Sequence, residues 1–209
     1  MSSLNINTDS NSTANITLPN IGGTNAGVSG AVNVGNSATN KLTMSGTTYK
    51  TGTGATDYEA KAGGTILLTD DDPTVTTGGG SLSFSTGDIV LSTAGTTTFT
   101  TGAGGGDITI AGKIDGTATE AEALAITSGT GNIAIQGAIG ADAVLAGLSI
   151  NATDGASGTI EVANIGDDNA EGVNTGTVSI GNNATVSLTL DGTVSVSYTH
   201  LRAHETGCY

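Results

Sequence analysis

One short phrase recurs along this chain: a glycine, usually one small polar residue, then two aliphatic residues separated by one other. It reads Gly64-Thr-Ile-Leu-Leu, Gly87-Asp-Ile-Val-Leu, Gly106-Asp-Ile-Thr-Ile, Gly131-Asn-Ile-Ala-Ile, Gly158-Thr-Ile-Glu-Val and Gly176-Thr-Val-Ser-Ile. Apolar and polar residues alternate within it, the period-two signal of a strand with one buried face. The phrase recurs at uneven intervals, shortest between Gly158 and Gly176 and longest between Gly131 and Gly158. Repetition on that scale points to a stacked array instead of a globule built around one site.

Further alternating segments lie between the phrases: Leu82-Ser-Phe84, Thr97-Thr-Phe-Thr-Thr101, Leu124-Ala-Ile126, Leu148-Ser-Ile150 and Val186-Ser-Leu-Thr-Leu190. Two or three strands of about 4–5 residues with tight turns fill one interval. A unit of that size cannot close a core alone, so neighbours must share its backbone ladders and cover its open ends. The expected fold is therefore all-β, a parallel β-helix (β-solenoid) with rungs of roughly 18–27 residues. Asp115-Gly116, Asp154-Gly155 and Asp191-Gly192 are hairpin-turn dipeptides and leave antiparallel pairing open.

Composition narrows what such a stack can be. Aromatics are 3% and hydrophobic residues 36%, so the core must be built from Val, Ile, Leu and Ala. Charged residues at 11% with this many aliphatics argue against disorder. Thr and the 34 glycines disfavour long helices. A net charge of -14 repels nucleic acid and anionic lipid headgroups, so neither is expected as a partner. No apolar run approaches the roughly 20 residues that span a bilayer. Met1-Ser-Ser-Leu-Asn-Ile-Asn lacks the basic and apolar regions of a signal peptide, and we read the chain as beginning inside a longer protein.

The organisation expected is N-terminal rungs or a partly ordered start over 1–38, solenoid repeats over 39–196, and a non-native tail over 197–209. A looped insertion near 45–63, with Tyr49, Lys50, Tyr58 and Lys61, should project from the stack. The segment Thr117-Ala-Thr-Glu-Ala-Glu-Ala123 reads as a polar insertion in preference to a helical turn capped by Thr119. Thr69-Asp-Asp-Asp-Pro73 and Gly166-Asp-Asp-Asn-Ala-Glu-Gly172 read as turns.

Ser197-Tyr-Thr-His-Leu-Arg-Ala-His-Glu-Thr206 resembles translated sequencing-adapter read-through. With it go His200, Arg202, His204 and Cys208, so residues 1–196 contain no His, Cys, Arg or Trp. The His200-x-x-x-His204 spacing lacks the acid of a zinc-protease helix and is set aside.

Leu124-Ala-Ile-Thr-Ser-Gly-Thr-Gly-Asn-Ile-Ala-Ile-Gln-Gly137 and Gly106-Asp-Ile-Thr-Ile-Ala-Gly-Lys-Ile-Asp-Gly116 resemble repeats of filamentous-haemagglutinin-type surface proteins. So does Gly46-Thr-Thr-Tyr-Lys-Thr-Gly-Thr-Gly-Ala-Thr-Asp-Tyr-Glu-Ala60. Those are large secreted bacterial adhesins and related autotransporter passengers, and the likeness covers roughly residues 40 to 195. It implies a right-handed parallel β-helix at the bacterial cell surface, used for attachment or biofilm cohesion. The amino-terminal secretion domain and carboxy-terminal membrane barrel of such proteins are not in this sequence.

Chemistry-bearing groups are few. Asp70, Asp71 and Asp72, and separately Asp167, Asp168, Asn169 and Glu171, offer hard oxygen ligands for calcium, but neither set matches a calcium-loop pattern. They are read as solvated turns. Carboxylates of this kind also work in pairs in glycan hydrolases. A substrate-gripping shell is thin here, with four lysines and four aromatics spread through 1–196. Thr96-Thr-Thr-Phe-Thr-Thr101 is a threonine row that on a flat face can order water or ice, provided several rungs repeat it; strand propensity explains a single row. Gly78-Gly-Gly80 and Gly104-Gly-Gly106 lack the Lys-Ser/Thr ending of a phosphate cradle and read as turns. Asp88 and Asp107 are read as blunting exposed strand edges.

The resulting expectation is an adhesive stalk with no catalytic, metal or cofactor residues. Its partners would be host or biofilm surface glycans or proteins, held by many weak contacts. The alternatives are a β-helical polysaccharide-processing enzyme and tandem β-sandwich binding domains.

Overall fold

The computed structural model describes residues 1–9, 11–23, 27–117, 121–153, 155–167, 172–174 and 176–196. The alternation read from the phrases becomes a coil of short strands making about seven turns. It begins with β1 (Leu4–Ile6) and β2 (Ile16–Leu18). The next turns are β3 (Val32–Gly35), β4 (Lys41–Met44) and β5 (Thr48–Lys50), then β6 (Thr56–Glu59), β7 (Thr65–Leu68) and β8 (Thr74–Thr76). They are followed by β9 (Leu82–Thr86), β10 (Asp88–Leu91) and β11 (Gly95–Thr100), then β12 (Ile108–Ile110), β13 (Ile114–Asp115) and β14 (Glu122–Thr127). The last turns comprise β15 (Ile133–Ile139) with β16 (Gly147–Ile150), β17 (Gly158–Ile165) with β18 (Val178–Ile180), and finally β19 (Thr185–Leu190). Among the described residues the only helical element is one 3-10 turn at Gly102–Gly104.

Among the described residues every strand pairing is parallel. The fold is thus the parallel β-solenoid expected, and neither Asp115-Gly116 nor Asp191-Gly192 makes a hairpin; Asp154 lies outside the described residues. The strands lie on three faces. The first is β1-β3-β6-β9-β12-β15-β17-β19, and the second runs β2-β4-β7-β10-β13. Strands β15 and β17 bend across both: Ile133 pairs with Ile108 on the first face, while Ile139 pairs with Ile114 on the second. The third face is a separate sheet, β5-β8-β11-β14-β16-β18.

The ladder register fixes the rung. Leu4 pairs with Val32 near the start of the chain, Ile66 with Ile89 near its middle and Ile150 with Ile180 near its end, so the shortest rung is an inner one and the longest lies near the end, beyond the upper bound of the rung length expected. The phrases begin strands on different faces: β7 and β10 on the second, β12, β15 and β17 on the first, β18 on the third. The shortest phrase intervals, Gly87 to Gly106 and Gly158 to Gly176, therefore cross from one face to another and are not rung lengths.

Inward positions form one apolar column per strand position. Leu82, Ile108, Ile133 and Ile160 succeed one another on the first face, all at most 1% exposed. Leu42, Ile66, Ile89, Ile114, Ile139 and Ile165 do so on the second. The segment 45–63 is not a projecting loop. It contributes β5 and β6, and Tyr49 and Tyr58 are fully buried. Their strands read Thr48-Tyr-Lys50 and Thr56-Asp-Tyr-Glu59, so alternation turns each ring inward. Tyr49, Tyr58, Phe84 and Phe99 make a continuous internal aromatic stack, with successive centroids 6.4, 5.5 and 4.8 Å apart. Part of the polar segment at Thr117–Ala123, including Thr119, lies outside the described residues, and Glu122 already belongs to β14. The tail 197–209 also lies outside them.

The corners explain the glycine of three phrases, Gly106, Gly131 and Gly158. A Cβ on Gly54, Gly80, Gly106, Gly131 or Gly158 would lie 2.1–2.3 Å from a backbone atom of the glycine one rung before it. Successive corners touch main chain to main chain, and only glycine permits that approach. Beside this column runs a buried hydroxyl ladder. Thr77 Oγ1 donates to Gly80 O; Thr101 Oγ1 lies 2.7 Å from Gly106 O and 3.0 Å from Ser128 O; Ser128 Oγ donates to Gly131 O at 2.6 Å.

A second corner device appears twice in nearly the same words. In Gly35-Asn-Ser-Ala-Thr39, Asn36 Nδ2 donates to the carbonyls of Asn7, Asp9 and Ser12 at 2.5, 2.9 and 3.3 Å. In Gly181-Asn-Asn-Ala-Thr185, Asn182 Nδ2 meets the carbonyls of Asn151, Thr153 and Ala156 at 2.7, 2.7 and 2.8 Å. Both accepting loops open on an asparagine of positive φ, Asn7 at 52° and Asn151 at 45°.

Candidate functional site

The acidic turns are the first place to look for chemistry. Asp70–Asp72 form the corner between β7 and β8, and Asp167 follows β17 at the equivalent corner four rungs away. At about 4.8 Å per strand that is roughly 19 Å along the axis, so the two turns do not build one carboxylate pair. Asp72, at φ 50°, directs Oδ1 to the backbone N–H of Thr96 one rung on, at 2.6 Å. Asp70 Oδ1 accepts from Asp71 N at 2.9 Å. Asp168, Asn169 and Glu171 lie outside the described residues. Among the described residues no three His, Cys, Asp or Glu side chains converge as a metal ligand set.

The phrase acids hold rungs together and do not guard an edge. Asp88 Oδ1 accepts from Lys113 N at 3.0 Å, and Asp107 Oδ1 from Asn132 N at 2.8 Å. Asn132 Oδ1 in turn accepts from Thr159 N at 2.9 Å. The polar residue after each of these glycines thus caps the backbone of the next rung. Asp115 does the same for Asp142 and Ala143, at 2.9 and 3.3 Å; its burial, partly offset by those two N–H donors, pushes the carboxyl up from its ordinary range. Glu122 is 1% exposed, and burial alone would raise it. Hydrogen bonds from the Thr117 hydroxyl and nearby backbone N–H groups outweigh that and hold its carboxyl below the usual range. Gly78–Gly80 and Gly104–Gly106 are corner turns whose carbonyls take the Thr77 and Thr101 hydroxyls.

A polar groove on the first face brings together residues the sequence did not single out. Its volume is about 320 Å³, and Asn5, Thr8, Asn33, Asn36, Asp57 and Glu59 line it. Asn5, Asn33 and Asp57 are register partners on β1, β3 and β6. Asn33 Nδ2 donates to Asn5 Oδ1 at 2.7 Å; Ser85 Oγ donates to Asp57 Oδ2 at 3.0 Å, and Thr86 Oγ1 to Glu59 Oε1 at 3.2 Å. Asp57 Oδ1 is shut off from solvent without a hydrogen-bond partner. Amide and carboxylate oxygens spaced by the strand separation suit a ligand rich in hydroxyl donors. Such a groove leaves little trace in a sequence, because its members come from separate rungs and each looks like any outward strand position.

No protein-family profile matches the chain, and no curated protein or solved structure shows significant similarity to it.

Proposed function

We propose that the chain is an adhesive β-solenoid stalk of a secreted bacterial surface protein, without catalytic activity, acting outside the cell. The observation that carries this reading is the in-register repetition of outward polar side chains along a stiff coil, with Asn5, Asn33 and Asp57 stacked in one groove. A rod that repeats one weak contact converts modest affinity into firm attachment through effective concentration. The occupants that suit the groove are hydroxyl-rich surface glycans, and the resemblance to filamentous-haemagglutinin-type repeats supplies the bacterial surface as the setting.

The test displays the full chain on beads at graded density over host-cell and biofilm glycans. Retention that climbs more steeply than density, and falls when Asn33→Ala and Asp57→Ala are combined, is the expected result. Retention insensitive to both would reject the reading. Release of reducing sugar ends from polysaccharides, abolished by Asp167→Asn, would favour glycan processing instead.

A further inference from the structure

The third face differs from the other two in a way that no single segment reveals. Its outward positions carry threonine in register on successive rungs. Thr48, Thr74 and Thr98 form one column, and Thr76, Thr100 and Thr127 form a second beside it. The threonine row of β11 is therefore one of several, the condition that a water-ordering face requires. Within that row Thr97 and Thr101 turn into the core, at 5% and 0% exposure, and leave Thr96, Thr98 and Thr100 outward.

Geometry and charge support the same face independently. The first and second faces contain register shifts at β6–β9, β15–β17 and β17–β19, whereas every pairing of the third sheet runs without one. Its threonines accordingly lie on a regular net, about 4.8 Å between rungs and about 6.6 Å between alternate residues of a strand. Charge is depleted there. The chain has 19 acidic residues, yet among the described residues none occupies an outward position of β5, β8, β11, β14, β16 or β18; Glu122 points inward and Lys50 is the one charged side chain. Beyond the threonine columns the face continues in Ala123, Ala125 and Ser149.

Threonine suits such a net physically. Its β-branched side chain is stiff at χ1, so hydroxyl and methyl are held in fixed positions. Among the described residues no protein group takes the hydroxyls of Thr74, Thr76, Thr98 or Thr127, which leaves each to bond water. Charged side chains would bind mobile, radially oriented hydration shells, and their scarcity removes that competitor. We propose that this face is an ice-binding surface, its hydroxyl net anchoring ordered water that joins a growing crystal while the methyl groups exclude disordered water.

The experiment uses the full chain and measures its partition into slowly growing polycrystalline ice, together with the shape of single crystals in its solution. Enrichment in the ice fraction and faceted crystals are expected. Thr98→Lys, at the centre of the net, and separately Thr76→Lys should return the protein to the liquid and restore rounded crystals. Thr109→Lys, outward on the first face, should bind ice as the parent does, and circular dichroism identifies the variants that keep the β-solenoid. Exclusion of the parent chain from ice, or folded Thr98→Lys and Thr76→Lys variants that still enter it, would overturn the proposal.

Discussion

Tyr49 and Tyr58 sit edge to face in one aromatic stack and differ in what their hydroxyls meet. Tyr49 Oη donates to Leu18 O at 3.1 Å and accepts from Gly46 N at 2.7 Å. Tyr58 Oη is buried with no partner, and desolvation drives its phenol far above the ordinary range. An unpaired buried hydroxyl is a net cost, whereas a doubly bonded one closes a turn. Tyr58→Phe is therefore expected to raise stability by about 1 kcal/mol, since the ring stays and only the desolvated oxygen leaves. Tyr49→Phe is expected to lower it by about 1–2 kcal/mol, because Gly46 N–H and Leu18 O lose their partner. Urea unfolding of the two variants checks this; a loss of stability in both would show that Tyr58 Oη has a partner in solution.

At the scale of the strand and its corner, the phrase glycine does more than end a turn. A Cβ on Gly106 would meet Gly80 O at 2.3 Å and Gly80 C at 2.5 Å, both main-chain atoms that no side-chain rotation can move aside. Gly147, within β16, has only Ala123 Cβ at 3.6 Å and Thr177 O at 3.8 Å in reach. Gly106→Ala should thus destabilise by about 1–3 kcal/mol as an overpacked site. Gly147→Ala should be neutral or stabilise by about 0.5 kcal/mol through the unfolded chain. Equal melting temperatures for the two variants would contradict the corner column. The strands themselves are legible in the sequence because Ile-x-Ile alternation marks one buried face wherever it occurs. Which face each strand joins is not, since Ile89-Val-Leu91 on the second face and Ile108-Thr-Ile110 on the first are written in the same alphabet. That choice is made by pairing a whole rung away, as Ile89 does with Ile66 and Ile108 with Leu82, which local pattern does not encode. The region 45–63 escapes a strand reading because its lysines and tyrosines break the aliphatic pattern, although their period is still two. The groove of Asn5, Asn33 and Asp57 and the threonine net of the third face exist only after that long-range register is known.

Across the whole molecule, each rung contacts the one before it and the one after it, so stability adds up as intrinsic terms plus nearest-neighbour interfaces. Position along the axis should then decide how far a lesion spreads. Ile133 is fully buried between Ile108 and Ile160 in the first-face column. An aspartate there is an unpaired charge inside the tube and costs several kcal/mol. It removes the interface that β15 makes with both β12 and β17, so Ile133→Asp should open the stack on both sides. Leu188, in β19, holds the same column position one rung past Ile160 but is 44% exposed, and an aspartate at that site remains hydrated. Native-state hydrogen exchange separates the two cases. With Ile133→Asp the amides of Ile108–Ile110 and Ile160–Val162 should lose protection together, while Leu188→Asp should affect β19 and its immediate partner alone. If Ile133→Asp raised exchange only within its own rung, the isoleucine column would be a set of independent patches and not a shared core. The stiffness on which both the multivalent rod and the flat threonine net depend would then be absent.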